Sequence, residues 1–256
     1  MITVQTVLDY LWTLAPMEYK ESWDNVGFLL GRRHTPVSGI LVSLDATASV
    51  ASQAKALGCQ LVVTHHPVIF RGEKHITDAD PLTETHLAFL ENGISVICMH
   101  TNLDCAPGGV NDVLAGILGL KEVRVLEDGE TAGLIRIGSV EQTTLADFAK
   151  HVKTSLQCPG LRCVDGGKPV RRVAVGGGGC ADYVGRVLEA GCDTFVTADV
   201  KYHQFCDAAT LGLNLIDAGH FETENPVCTV LAQRLAETFP TVQVRLAAHN
   251  DCIRFV

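Results

Sequence analysis

A pattern of strand, helix and second strand occurs twice in this chain and constrains its fold more than any other feature. Aligned without gaps, 40–68 and 173–201 share the dipeptides Gly-Cys and Val-Thr at equivalent positions. In each copy an apolar run precedes a loop, a helix that ends at Gly-Cys, and a second apolar run. Strand, helix and strand within so short a span imply parallel strands joined by a right-handed crossover. We therefore predict an α/β fold of two similar halves with mixed and parallel sheets.

The composition is that of a globular chain with a substantial core. Its 256 residues are 47% hydrophobic and 19% charged, which suffices for one large or two modest domains. Around 122–130 the charge density rises and the hydrophobic periodicity is lost, so we predict two halves, 1–124 and 125–256. The ten cysteines are scattered and include no Cys-x-x-Cys pair. We interpret them as reduced core residues rather than as disulfides.

Two adjacent histidines stand at the end of the second strand of the first copy. The apolar run Leu61-Val62-Val63 leads into Thr64-His65-His66-Pro67, and the proline cannot continue a sheet ladder. In open parallel sheets, ligands bind beyond the carboxyl ends of the strands. The other polar side chains predicted at strand ends are Asp104, His220 and Glu224, with His100, Asp199, Lys201 and His203 nearby in sequence.

These side chains are of the types that bind divalent metals. Imidazole and carboxylate without thiolate suit zinc, manganese or iron(II). Five ligands exceed one tetrahedral site with an open position, whereas two ions about 3.5 to 4 Å apart that share a bridging carboxylate would use them all. Other roles stay open at this point. Strand-end histidines also serve as hydrogen-bonding groups, His220 and Glu224 could form a local capping pair, and Asp104 could shape a turn.

Two further motifs have alternative interpretations. Gly176-Gly177-Gly178-Gly179 follows a predicted strand and could cradle a phosphate at a helix N-terminus. It lacks the Gly-x-Gly-x-x-Gly spacing and the Walker lysine, so the alternative is a tight turn or a close backbone approach to the metal site. In Trp23-Asp24-Asn25 the sequence favours a turn with Trp23 anchored in the core over a role for Trp23 at the edge of a site.

Charge and hydropathy argue against several classes of protein. A formal net charge of -9 is unlike that of a protein that coats duplex nucleic acid. The first residues lack a basic and then apolar leader, and no apolar run approaches about 18 residues, the length of a membrane helix. We therefore expect a cytoplasmic protein without a membrane partner.

Five motifs in this order resemble the Nif-three-like family, whose members are described as GTP cyclohydrolase I type 2 homologues or dinuclear metal-binding proteins. The motifs are Trp23–Gly27, Thr64–Pro67, His100–Asp104 with Gly109–Asp112, Thr197–His203, and Gly219-His220 with Glu224. The resemblance implies α/β halves around a dinuclear centre and a toroidal homohexamer. It also implies two divalent ions per chain, whether zinc, iron or manganese, held by His65, His66, Asp104, His220 and Glu224, with Glu224 as the bridge. Residues 250–256 depart from the Asn-Pro-Phe-like ending of the family.

The chemistry that this resemblance predicts is metal-assisted hydrolysis. Two divalent ions lower the pKa of a shared water towards about 7. Lys201 or His203 could act as the catalytic proton donor or as an anion clamp if their strand end faces the metals. The family suggests ring hydrolysis of a purine nucleotide such as GTP. Two alternatives stay open: a non-catalytic metal-binding or metal-delivery protein, and a toroid that admits single-stranded nucleic acid, against which the acidic net charge argues.

Overall fold

The computed structural model describes residues 1–126, 133–248 and 251–256, which form two compact units. The first unit contains Met1–Ala106 and the later segment 227–248, and the second contains Pro107–Pro226 and Asp251–Val256. Each unit combines a mixed β-sheet with helices, so the predicted α/β class is confirmed. No helix in the described part of the chain is long and apolar enough to cross a membrane.

Strands and helices alternate through most of the chain. The strands are β1 (Gly27–Leu30), β2 (Gly39–Ser43), β3 (Leu61–Thr64), β4 (Ser95–Cys98), β5 (Lys121–Val125), β6 (Arg136–Thr143), β7 (Arg162–Val164), β8 (Val170–Val175), β9 (Thr194–Thr197), β10 (Asn214–Asp217) and β11 (Gln243–Leu246). The helices are α1 (Val4–Leu14), α2 (Ala48–Ala56), α3 (Pro81–Glu91), α4 (Thr101–Cys105), α5 (Val110–Ile117), α6 (Leu145–Ser155), α7 (Val184–Glu189), α8 (Tyr202–Leu211), α9 (His220–Glu224) and α10 (Pro226–Thr238).

The sheet of the first unit has the strand order β1-β4-β3-β2-β11. β2, β3, β4 and β11 run parallel, and β1 pairs antiparallel with β4. Every residue of β2, β3 and β4 is buried, as expected for strands covered on both faces. α2 begins where the Thr47 hydroxyl accepts a hydrogen bond from the Val50 backbone N–H at 3.2 Å. It is followed by Gly58, whose φ of 66° a glycine adopts without strain.

The sheet of the second unit has the order β5-β6-β8-β9-β10-β7. β8, β9 and β10 run parallel at its centre, and β5, β6 and β7 are antiparallel additions at the edges. Its core packs α5 and α6 against the central strands through residues that include Leu114, Phe148, Val152, Val173 and Ile216. The first unit has a separate core, which includes Leu41, Val50, Val62, Phe89 and Val96.

The pseudo-repeat is present in the structure and in the same register in both copies. Val42 lies opposite Val63 in the first copy, and Val175 lies opposite Val196 in the second. The likeness extends beyond the two aligned segments, because a third parallel strand follows in each unit and then a five-residue helix, α4 in one and α9 in the other. The sequence analysis predicted neither of these short helices.

The two units differ from the halves predicted from sequence at 124/125. The division falls at 106/107, and α10 and β11 belong largely to the first unit, because β11 pairs in parallel with β2. The stretch 122–130, where the hydrophobic periodicity is lost in the sequence, overlaps β5, an exposed edge strand that pairs with β6. The rest of that stretch, 127–130, lies outside the described residues, as does Asn250 at the start of the divergent tail.

Candidate metal centre

Two histidines lie at the carboxyl end of β3 in the first unit, and each is held by a hydrogen bond at Nδ1. His65 is buried, and its Nδ1 lies 2.8 Å from the carbonyl oxygen of Met99. Nδ1 of the partly buried His66 lies 2.7 Å from Asp45 Oδ1. Because carbonyl and carboxylate oxygens accept hydrogen bonds, Nδ1 carries the proton in both rings. Nε2 is then the atom with which each ring can bind a metal.

Asp104 reaches the same point from the neighbouring strand. It lies on α4, which begins three residues after β4, and its Oδ1 is 3.6 Å from His65 Nε2. Both side chains are buried. Three of the predicted ligands, His65, His66 and Asp104, therefore lie together in the first unit.

A third imidazole lies beside the histidine pair. The centroid of the His100 ring is 5.1 Å from that of His65 and 5.6 Å from that of His66, and one ligating atom of each of the three lies within 4.8 Å of the others. His100 Nδ1 lies 2.8 Å from Asp24 Oδ1, while the other carboxylate oxygen accepts from the Thr101 backbone N–H. Burial alone would raise the pKa of Asp24, but the hydrogen bonds from His100 and Thr101 outweigh it and lower the pKa to about 2.

The second unit holds its two predicted ligands on α9. His220 Nδ1 lies 2.7 Å from Asp199 Oδ2, and His220 Nε2 lies 2.9 Å from Glu224 Oε2. Burial alone would lower the pKa of His220, but the hydrogen bonds to the two carboxylates raise it to about 11. The contact is not a helix cap, because the N-cap of α9 is Gly219 and no side chain caps it. His220 and Glu224 instead converge through the two atom types that bind metals.

Asp199, which forms a hydrogen bond with His220, has an unusual backbone conformation. Its φ is 53°, in the left-handed region that few residues other than glycine enter, although Asp tolerates it better than most. The hydrogen bond from His220 is the main reason that the pKa of Asp199 is lowered. Such strain is typical of functional sites.

The four-glycine run packs against these ligands. Gly178 has φ of 62°, and a Cβ built there would overlap Glu224 Oε1 and lie 3.3 Å from His220 Cε1. The backbone N–H groups of Gly177 and Gly178 donate to Asn111 Oδ1 and Thr223 Oγ1, so a phosphate would have to displace these partners. Of the two interpretations of the run, the close backbone approach describes the structure.

The carboxylates that hydrogen-bond to the histidines were not predicted from the sequence. Asp45 follows β2 and holds His66, and Asp24 holds His100 from a residue 76 positions away. Carboxylate–histidine pairs of this kind fix the tautomer and orientation of metal-binding imidazoles. The one available signal was position, because Asp45 and Asp199 each lie two residues beyond the end of a buried parallel strand.

Lys201 and His203 occupy the exposed start of α8, where Lys201 is the N-cap residue. Within the part of the chain that the structure describes, no hydrogen bond or ion pair joins either side chain to His220 or Glu224. Trp23 is also exposed, at 58% of its surface, so the prediction that it anchors the core was wrong.

The chemistry of these donors fits a divalent metal. Imidazole Nε2 atoms oriented from Nδ1, together with buried carboxylates, are the ligands of zinc, iron and manganese sites. The absence of a side chain at Gly178 leaves the space that Glu224 occupies. Both units thus contain groups that can bind a metal.

The fold of this chain is that of a known class of protein. The sequence profile of the Duf34/NIF3 (NGG1p interacting factor 3) family matches residues 2–251, and the chain belongs to this family.

The chain is similar to particular members of that family. It is 32% identical over 236 residues to a GTP cyclohydrolase 1 type 2 homolog of Clostridium perfringens, covering 90% of each chain. It is 35% identical to a protein of the same name from Streptomyces coelicolor, covering 91% of this chain and 85% of that one. Among solved structures, a Bacillus cereus protein related to NIF3 superposes with a TM-score of 0.93 at 25% identity over the full length of both chains. A Staphylococcus aureus hypothetical protein gives 0.91 at 28% identity over 99% of each.

Proposed function

We propose that this chain is a divalent-metal-dependent hydrolase that holds two metal ions through His65, His66, Asp104, His220 and Glu224. The observation that carries the proposal is the orientation of the imidazoles. His65, His66 and His220 each direct Nδ1 to an oxygen acceptor, which leaves Nε2 as the ring nitrogen available to a metal. Asp104 and Glu224 lie beside two of these Nε2 atoms. Glu224 is the proposed bridging ligand.

Bound divalent ions would supply Lewis-acid polarisation and a water of lowered pKa. The chain's own residues contribute orientation and burial. Asp45 and Asp199 fix two of the imidazoles, and the burial of His65, Asp104 and Glu224 limits competition from solvent. Lys201 and His203 are proposed to donate a proton or bind a substrate anion once substrate is bound.

The proposed substrate is a purine nucleotide, and the proposed reaction is hydrolytic opening of its ring. The support for this substrate is the name that the Clostridium perfringens and Streptomyces coelicolor relatives carry, GTP cyclohydrolase 1 type 2 homolog. The chain aligns with most of both relatives, so the proposal concerns the whole chain and not one unit.

The test is a metal-restored activity screen. The chain is stripped of metal, reloaded separately with Zn²⁺, Mn²⁺ or Fe²⁺, and incubated with GTP while ring opening is followed by absorbance and chromatography. We expect turnover that requires metal, is lost in His66→Ala and is retained in His34→Ala, which removes an exposed histidine elsewhere in the first unit. Stoichiometric metal without turnover of GTP or of any other nucleotide would contradict the hydrolase proposal.

A second candidate is a metal-binding or metal-delivery protein without catalysis. It is favoured by the position of Lys201 and His203, whose side chains form no hydrogen bond or ion pair with His220 or Glu224 among the described residues. Such a protein would release metal rapidly to an acceptor. Transfer to a chelator within seconds would support this candidate, and retention over hours together with turnover would refute it.

A further inference from the structure

Two exposed aromatic side chains form a corner on the first unit that the metal ligands do not use. Trp23 is 58% exposed and Phe70 is 47% exposed. Their ring centroids lie 5.9 Å apart and their planes are inclined by 60°. We call Trp23 and Phe70 the aromatic corner. Single exposed apolar side chains are common, but two large rings exposed side by side are typical of a binding site.

The aromatic corner is held in place by polar contacts around it. The Asn25 side-chain amide donates to the carbonyl oxygen of Ile69 at 2.6 Å, which ties the segment of Trp23 to that of Phe70. The Asp24 carboxylate accepts from Thr101, and the Lys20 ammonium donates to the Asp24 carbonyl oxygen at 3.1 Å. Asp24 and Asn25, the two residues that follow Trp23, are therefore held by hydrogen bonds. The backbone of this segment therefore loses little conformational entropy when a ligand binds the aromatic corner.

The aromatic corner lies one ring away from the histidine pair. The edge-to-face contacts of His100 with Trp23 and Phe70 have centroid distances of 6.2 and 6.4 Å. On its other side, the His100 ring is 5.1 Å from His65 and 5.6 Å from His66. A small molecule on the corner would therefore lie next to the proposed metal ligands.

We propose that the aromatic corner binds the planar heteroaromatic ring of the substrate, a nucleobase. The inference rests on the proposed hydrolase function for the nature of the ligand. Two rings inclined by 60° can contact one planar ring by its face and its edge at once, the arrangements that aromatic groups prefer. A nucleobase stacked there contributes binding energy that does not depend on its phosphates. The corner thus places the ring, and the metal ligands lie beside it.

The fluorescence of Trp23 can report ligand binding at the aromatic corner, because the chain has only two tryptophans, Trp12 and Trp23. In a Trp12→Phe protein, all indole fluorescence comes from Trp23. This protein, stripped of metal, is titrated with GMP and separately with ribose 5-phosphate, which has the same sugar and a phosphate but no nucleobase. The titrations are repeated with Phe70→Ala and with Tyr202→Ala, which removes another exposed aromatic side chain in the second unit.

We expect saturable quenching of Trp23 by GMP and none by ribose 5-phosphate. Phe70→Ala should weaken GMP binding by about 5- to 150-fold, because stacking is worth about 1 to 3 kcal/mol per base. Tyr202→Ala should leave the binding curve unchanged. Phe70→Trp, which keeps a large ring, should retain GMP binding.

Three outcomes would overturn the inference. They are the absence of quenching, equal quenching by ribose 5-phosphate, and a change of assembly mass by light scattering in Phe70→Ala with GMP binding unaltered. The last would make the corner a contact between copies of the chain. Because these titrations use metal-free protein, their failure in a chain that binds metal and turns over GTP refutes the aromatic corner alone. Specific quenching in a chain that binds no metal refutes the proposed hydrolase alone.

Discussion

At the scale of single residues, hydrogen bonds on Nδ1 orient the three histidines that we propose as metal ligands. A strand-end His-His pair is readable from sequence because the apolar run, the histidines and the proline are contiguous in 61–67. The carboxylates that hydrogen-bond to the histidines cannot be identified from the sequence. Asp45 precedes His66 by 21 residues, and Asp24 precedes His100 by 76. Contacts across such separations are set by which strands become neighbours, and local patterns do not encode that.

Asp45 should tune metal affinity without binding the metal itself. Asp45→Ala removes the acceptor on His66 Nδ1, which frees the ring to rotate or change tautomer. We expect metal affinity to fall by about 10- to 100-fold, as measured by competition with a chromogenic chelator. Asp207→Ala, at an exposed carboxylate on α8, should leave affinity unchanged. Equal affinity in Asp45→Ala and the parent chain would contradict a positioning role.

Asp24 should make the stability of the chain depend on acidic pH. Its pKa is about 2 in the folded chain and about 3.9 in an unfolded one. A lowered folded pKa contributes stability that is present above the unfolded value and is lost as pH falls through the folded value. The shift corresponds to about 3 kcal/mol.

The comparison with Asp24→Asn isolates this effect. The free energy of unfolding is measured by urea denaturation of both proteins from neutral pH down to about pH 2, below which the Asp24 carboxylate is protonated in either state. The parent chain should lose its advantage over the variant between about pH 4 and pH 2. A difference that stays constant over that range would rule out this contribution of Asp24.

At the scale of elements, each unit presents ligands through a parallel strand followed by a five-residue helix. The sequence repeat predicted the paired strands, and their register bears it out. It did not predict α4 and α9, because five residues are too few to display a helical hydrophobic period. β5 escaped prediction for a related reason: its polar–apolar alternation covers only 122–125, and all five of its residues are exposed at the edge of the sheet.

A substitution in the loop after β8 tests whether that loop positions Glu224, one of the two proposed ligands on α9. Gly178→Ala introduces a Cβ that overlaps Glu224 Oε1 at a residue with φ of 62°. We expect a loss of about 1 to 3 kcal/mol in unfolding free energy, with weaker metal binding, because Glu224 must move. Both are measured on the same preparation, by denaturation and by chelator competition.

Gly185→Ala provides the matched control. Gly185 lies within α7, and apart from its own helix backbone and chain neighbours no atom of the described residues lies within 4 Å of a Cβ built there. Alanine favours the helix over glycine, so stability should stay the same or rise by up to about 1 kcal/mol, with metal affinity unchanged. A Gly178→Ala protein that behaves like Gly185→Ala would show that the glycine run has no part in seating Glu224.

At the scale of the whole molecule, the sequence predicted the class but not the division of the chain. The 122–130 segment marks a change in composition, yet the units divide earlier and the chain returns to the first sheet through β11. The exposed and partly buried residues of β11 look like those of any edge strand. Its pairing with β2, some two hundred positions earlier in the chain, is decided by the tertiary fold.

We propose that the chain assembles as a homohexamer, the state that the family resemblance implies. Light scattering coupled to size-exclusion chromatography should then give six times the 27.5 kDa of one chain. The mass should persist on dilution. A second measurement after removal of metal shows whether assembly depends on the metal ions. A monomer or dimer at micromolar concentration would contradict this assembly.

The most direct test of the central claim is the number of metal ions per chain. Elemental analysis of protein purified without added metal, and again after reloading with a single divalent ion, should give two equivalents. The count should fall to one or fewer in His65→Ala and in Glu224→Ala, and stay at two in His34→Ala. A parent chain that binds no divalent metal after reloading, or ligand variants that keep both equivalents, would contradict the account.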